Sequence, residues 1–245
     1  MTEGHDPLGL IKGLLEETGS DPGFYLRLGA GYFIEGDHES ARITFEEGLE
    51  RHPDDIDLLN SLATLLVTRF AEVDRGRMLY ERVLEIEPRD VDSMKALAHL
   101  LANHYLDRDA ARIMFGRVVN LDPGFMDGWL QLGMLNEGEF SQLDEAMRCY
   151  ERALRLDGEH LFVLYRLGQI LEYHAQDLDG ARGYYERILD IDPDNLHALN
   201  ALCSLMGGRF KDLEKAREYN QRVLALQPDD LYANTVAQWL SVSEE

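Results

Sequence analysis

The chain of 245 residues has only two cysteines, Cys149 and Cys203. That excludes a disulfide framework and fits a reducing compartment. There is no Asn-x-Ser/Thr acceptor, and no apolar run approaches 18 residues, which argues against a membrane-spanning helix. Basic residues are scarce: 24 Lys and Arg stand against 46 Asp and Glu, a formal net charge of −22. Such a surface repels nucleic-acid phosphates and anionic lipid heads, and it suits basic partners. The acidity is spread along the chain and not gathered in a tail, as solvated helix exteriors require. The polar, acidic start from Met1 to Asp6 is unlike a secretory or transit peptide. A cytoplasmic protein is the expectation.

Catalytic signatures are missing too. There is no Gly-Lys dipeptide and hence no Walker loop, and no Gly-x-Ser-x-Gly, Cys-x-x-Cys or His-Glu-x-x-His. Eight histidines are present, but around His99 and His104 no second His or Cys pair falls in phase to complete a zinc site. The run from Asp190 to Asn195 mimics the opening of a calcium loop. Asn195 and Ala201 stand where that loop needs Gly and Glu, so the run reads as helix end, turn and N-cap. No catalytic residue, cofactor or metal is expected, and the chain reads as a non-enzyme.

Proline is sparse as well, with 7 residues, and its spacing is informative. Pro53, Pro88 and Pro123 are 35 residues apart, and the same step reaches Gly158, Pro193 and Pro228. Internal repeats of this length mark solenoid architectures. Between the turns lie two helical patterns. The first carries a large residue followed by a small one: Leu28-Gly29, Leu62-Ala63, Leu97-Ala98, Leu132-Gly133, Leu167-Gly168, Leu202-Cys203. The second places a small residue, an aromatic four later and usually an aliphatic three after that, as in Gly76, Tyr80 and Val83 or Ala181, Tyr185 and Ile188. This spacing puts the three on one face of an α-helix, and strand-like alternation is nowhere sustained.

The pattern resembles the tetratricopeptide repeat, W-x2-L-G-x2-Y, then A-x3-F-x2-A, then P. The best matches are Tyr25, Leu28, Gly29, Tyr32, Ala41, Phe45 and Pro53 in the first repeat, and Trp129, Leu132, Gly133, Ala146, Tyr150 and Ala153 in the fourth. The resemblance implies an all-α fold: a right-handed superhelical α-solenoid of tandem helix hairpins with terminal capping helices. Residues 22–228 hold six repeats, approximately 22–55, 56–90, 91–125, 126–160, 161–195 and 196–230. An N-terminal capping helix is expected within 1–21, with its apolar side over residues 6–18, and a C-terminal one within 229–245. Both read as lids over exposed repeat edges; docking helices are the alternative. From the second repeat on, the interval between the two small residues is 13 and not 12, which predicts a longer internal turn at residues 70–74, 105–109 and their equivalents. Asn220 takes the aromatic place of repeat six.

Number each repeat from the residue three after the preceding turn proline. Places 4, 7, 8 and 11 of the first helix form its core stripe, and places 2, 5, 9 and 12 share a flank. In the family that flank lines the concave groove. Places 5 and 9 read Leu26 and Ala30, Asn60 and Thr64, Lys95 and His99, Leu130 and Met134, Tyr165 and Gln169, Asn200 and Ser204. The strip is short of carboxylates. Its amides can bond an extended peptide backbone, and Met and Leu can accept varied side chains. Asn60, Thr64, Lys95, His99, Leu130, Met134, Tyr165, Gln169, Asn200 and Ser204 are therefore the candidate partner-binding residues; helix-on-helix packing is the competing role for each. The family's basic clamp for a C-terminal carboxylate is absent, since only Lys95 puts a basic residue at place 5. That disfavours chaperone-tail binding. The expectation is a non-enzymatic scaffold holding a protein partner, a peptide segment or helix, with no direct nucleic-acid or membrane contact. The alternatives are a scaffold subunit of an RNA-processing complex, from the half-a-TPR-like pairs Ala111-Arg112, Ala181-Arg182 and Ala216-Arg217, and an enzyme's regulatory subunit.

Overall fold

The computed structural model describes residues 21–138 and 141–242, and the expected cap helix at 6–18 lies outside them. Among the described residues there are helices and no strands. They come in consecutive pairs: α1 Pro22–Glu35 with α2 His38–Arg51, α3 Ile56–Leu65 with α4 Val73–Ile86, α5 Val91–Asn103 with α6 Arg108–Leu121, α7 Met126–Gly138 with α8 Leu143–Leu156, α9 Leu161–Ile170 with α10 Leu178–Ile191, and α11 Leu196–Leu205 with α12 Leu213–Leu226. A further helix, α13 (Leu231–Val242), follows α12. The chain divides into two compact units, residues 1–123 and 124–245.

Short acidic and amide side chains start the helices. Asp55, Asp90, Asn195 and Asp230 each accept from the backbone N–H three residues on, as do Asp37, Asp107, Asp177 and Asp212 at the second helices. At α9 the cap is His160, whose Nδ1 accepts from the Val163 N–H at 3.3 Å. Each such cap contributes about 1 kcal/mol by satisfying a donor the helix cannot.

Within a hairpin the paired helices meet where a ring lies over a residue with little or no side chain. A methyl group on Gly168 would fall 2.5 Å from Tyr185 Cε1; Gly133 and Gly29 stand in the same relation to Tyr150 and Phe45, at 2.4 and 2.3 Å. In the first unit the surrounding core includes Tyr25, Leu28, Phe45, Leu58 and Leu62, and in the second Tyr150, Leu167, Tyr185, Ile188 and Leu202.

The extra residue of the later repeats takes a form different from a lengthened loop. In the first repeat α1 ends on Gly36 at φ 84°, and the Asp37 N–H bonds back to Tyr32 O at 3.0 Å. In the next five, the closing bond spans one residue more: Glu72 to Leu66, Asp107 to Leu101, Gln142 to Asn136, Asp177 to Leu171 and Asp212 to Met206, N–H to O at 2.7–3.0 Å. The last turn of the first helix widens to π geometry at Leu66–Phe70, Leu171–Ala175 and Met206–Phe210. A left-handed residue then closes it: Ala71, Leu106, Ser141, Gln176 or Lys211, at φ 50–60° and none of them glycine.

Repeats are tied along each unit by arginines of the second helices. Arg117 donates to Pro88 O at 3.1 Å in the first unit; in the second, Arg187 donates to Gly158 O at 3.1 Å and Arg222 to Pro193 O at 2.5 Å. At the end of the second unit α13 packs on α12 through buried Ala233 and Leu240, while Trp239 remains half exposed. Asn220, out of pattern in the sequence, donates to Ala233 O at 2.9 Å, so its amide holds α13.

Two outcomes test this account by urea unfolding. Gly168→Ala forces the Tyr185 ring aside and lowers stability by about 1–3 kcal/mol. Gln176→Gly removes a left-handed non-glycine residue on an exposed turn and raises stability by about 0.5–1 kcal/mol.

Candidate functional site

The core stripe of each first helix is buried, at Leu59, Leu62 and Ala63 in α3 and at Leu164, Leu167 and Gly168 in α9. Rotation by about 100° per residue then turns places 2, 5 and 9 outward together. Place 5 is half-buried in every repeat, at Leu26, Asn60, Lys95, Leu130, Tyr165 and Asn200. Place 9 is exposed at Ala30, Thr64, Met134 and Ser204, and half-buried at His99 and Gln169.

In the first unit Leu26, Ala30, Asn60 and Thr64 line one open hollow of about 430 Å³, floored by Phe33 and Phe45 and edged by Asp57 and Asp92. Asn60 is already engaged: it donates to Asp90 Oδ1 at 3.3 Å and accepts from Ser93 Oγ at 2.5 Å, which ties it to the cap of α5. Thr64 shares a hydrogen bond of 2.9 Å with the Tyr80 hydroxyl. Lys95 and His99 lie on α5. The Lys95 ammonium is 2.8 Å from Asp122, so its charge is spent within the unit. His99 stands edge-on to Phe115, with ring centroids 5.1 Å apart.

In the second unit Tyr165 lines a hollow of about 380 Å³ with Phe162, Arg166, Ile188 and His197. Its ring lies 5.8 Å from those of Tyr185 and His197. Burial pushes the Tyr165 phenol above its ordinary value, with Arg166 pulling it down and Glu172 pushing it up. Gln169 accepts from Arg166 Nη1 at 2.6 Å and lines a smaller hollow with Glu137, Tyr173 and His174. Arg166 is itself gripped by both oxygens of Glu137, which also accepts from the Tyr150 hydroxyl at 2.8 Å. Leu130 packs with Trp129 and Met126 against the Tyr150 core, and Met134 is 44% exposed. Asn200 and Ser204 lie on α11, Ser204 exposed.

The structure thus gathers some strip residues into hollows and gives Asn60, Lys95 and Gln169 internal partners. Place 2 contributes residues that places 5 and 9 alone missed. It supplies Asp57 and Asp92 in the first unit, and Asp127, Phe162, His197 and Tyr232 in the second. The signal was available, since place 2 lies three residues before place 5. Among the described residues no group of three His, Cys, Asp or Glu side chains is placed to hold a metal, and no helix is long and apolar enough to cross a membrane.

Residues 135–195 match the family model of the tetratricopeptide repeat. No curated protein matches the sequence. Solved structures do resemble it in fold. PilF of Pseudomonas aeruginosa is 21% identical over 89% of this chain and 96% of its own, with a TM-score of 0.62. YrrB, described as a TPR protein with an unusual peptide-binding site, is 20% identical over 79% and 97%, with a TM-score of 0.66. The C-terminal part of a TPR repeat-containing protein from Cytophaga hutchinsonii is 13% identical over 94% and 92%, with a TM-score of 0.71.

The two thiols stand apart from these hollows. Cys149 and Cys203 are buried, and burial raises each to about 11 from an ordinary 9.0. The fold therefore favours the neutral thiol. That preference is fully present below about pH 9 and is lost as pH rises towards 11. Urea midpoints should fall across this window, and fall less in the double variant Cys149→Ala/Cys203→Ala. In the native protein at pH 8, iodoacetamide should label neither thiol at the rate of the unfolded chain, as mass spectrometry would read.

Proposed function

We propose that this tetratricopeptide-repeat protein is a non-enzymatic scaffold that holds extended partner-protein segments along places 2, 5 and 9 of the first helices within each unit. The observation that carries the reading is the coincidence of strip and hollow in both units. Leu26, Ala30, Asn60 and Thr64 line the one, and Tyr165, with Phe162 and His197, lines the other. Exposed Met134 and Ser204 extend the same flank. The combination suits a peptide: apolar floors for alternate side chains, and amides and hydroxyls for its main chain. The net charge of −22 and the acidic edge at Asp57 and Asp92 favour a segment with basic residues and oppose nucleic acid. YrrB, similar in fold, is itself described as binding peptide. With Lys95 held by Asp122, the strip has no free cation there for a C-terminal carboxylate, in keeping with the missing clamp. The cytoplasm, where thiols stay reduced, remains the compartment we assign from the two unpaired cysteines.

The test begins with a displayed peptide library selected on the purified protein, followed by fluorescence polarisation of the best peptide. Tyr165→Ala and Met134→Glu should each raise Kd about tenfold, the equivalent of about 1.4 kcal/mol. Unaltered affinity in both variants would remove the strip from consideration.

A further inference from the structure

The arginine that follows the small residue of the second helix has a regular place. Arg42 lies over the Phe70 ring at 5.0 Å and Arg77 over Tyr105 at 4.8 Å in the first unit; Arg182 lies over Phe210 at 5.3 Å in the second. Each pair joins one repeat's second helix to the end of the next repeat's first helix. A carboxylate three residues before the arginine holds the guanidinium in two of them: Glu39 for Arg42, and Asp179 for Arg182 at 3.0 Å. Glu72, which precedes α4, adds a second carboxylate to Arg42 at 3.5 Å.

One junction lacks both partners. Counting 35 residues back from Arg182 and Phe210 gives Met147 on α8 and Ala175 at the end of α9. The carboxylates remain. Asp144 stands three residues before Met147, and Asp177 takes the place of Glu72. An open hollow of about 580 Å³ lies at this junction, lined by Leu143, Asp144, Met147, Ile170, His174 and Ala175 among others, and also by Arg148, whose guanidinium pairs with Glu145 at 3.2 Å. It adjoins the smaller hollow beside Gln169, sharing Ile170 and His174 with it, but none of the strip residues lines it.

We propose that this hollow is a second docking site, which receives an arginine side chain and a neighbouring aromatic ring from a partner protein. The chain omits one guanidinium and one ring here and keeps the carboxylate that elsewhere pairs with the guanidinium. Met147 is flexible and polarisable, so it can pack on an incoming ring. A partner's arginine reaching Asp144 completes the contact that Arg42 and Arg182 make internally, and the surrounding negative charge favours its approach.

The probe is a blocked tetrapeptide with arginine beside phenylalanine, titrated into the full chain carrying labelled Met, Ile and Ala methyls. Saturable shifts are expected at Met147, Ile170 and Ala175. Binding should weaken at least tenfold when glutamate replaces the peptide's arginine, and several-fold in Asp144→Asn, which leaves the hollow open. The double variant Met147→Arg/Ala175→Phe restores the internal pair and should abolish the shifts while melting no lower than the parent. Tyr165→Ala, a change in the groove, should leave them unaltered. Absent shifts, equal binding of the glutamate peptide, or full binding by the filled variant would overturn the assignment. So would concentration-dependent shifts without peptide, which would place a second copy of the chain in the hollow.

Discussion

Everything the protein presents to a partner depends on how closely two helices of a hairpin can approach. The rings of Phe45, Tyr150 and Tyr185 lie on Gly29, Gly133 and Gly168, at a distance no side chain there could share. Once the ring is seated, the rotation of the first helix is fixed. The core stripe must face the second helix, and places 2, 5 and 9 are left over. The flank proposed to bind a partner is thus a by-product of packing. Place 5 still touches the core, as Leu130 does beside Tyr150, but place 2 stands largely clear of it, which leaves its residue types at liberty to differ from repeat to repeat. They do differ, from Asp57 and Asp92 in one unit to Phe162 and His197 in the other.

A second layer of contacts holds one repeat to the next within each unit, and arginine dominates it. The Ala-Arg pairs that suggested half-a-TPR repeats have a local explanation at Arg182, whose guanidinium covers the ring of Phe210. A pattern shared with that family therefore needs no shared partner. The scarcity of basic residues in the composition is sharpened by their use: Lys95, Arg166 and Arg182 are each drawn to carboxylates of their own chain. Each pairing uses one charge of either sign, so the net of −22 stays as it was and is carried by carboxylates beyond these pairs.

The periodic part of the fold was legible because it rests on side-chain size at fixed intervals. Proline spacing, the Leu-Gly and Leu-Ala pairs and the ring four residues after a small one are all local signals. The form of the internal turn was not legible. The count of 13 residues showed that something was added, but Ala71, Leu106, Gln176 and Lys211 adopt left-handed geometry without the glycine that normally announces it. Their conformation is imposed by the closing hydrogen bond, as between Glu72 and Leu66. The site was half legible for a related reason. Helical phase located the strip, but the engagement of Lys95 by Asp122, 27 residues away, or of Asn60 by Asp90, 30 residues away, depends on how neighbouring repeats stack. Spacing on a single helix carries no information about that.

Three of the arginines that reach inter-repeat turns grip carbonyl oxygens of the main chain, at Pro88, Gly158 and Pro193, whereas Arg82 reaches the Asp54 side chain at 2.7 Å. A peptide oxygen is present whatever residue occupies the position. The fourth turn can therefore exchange its proline for Gly158 and still be held by Arg187 across 29 residues. Fastening to backbone decouples the joint from its own side chain. At those three turns the side chain is free to change, while the arginine opposite, Arg117, Arg187 or Arg222, bears the constraint.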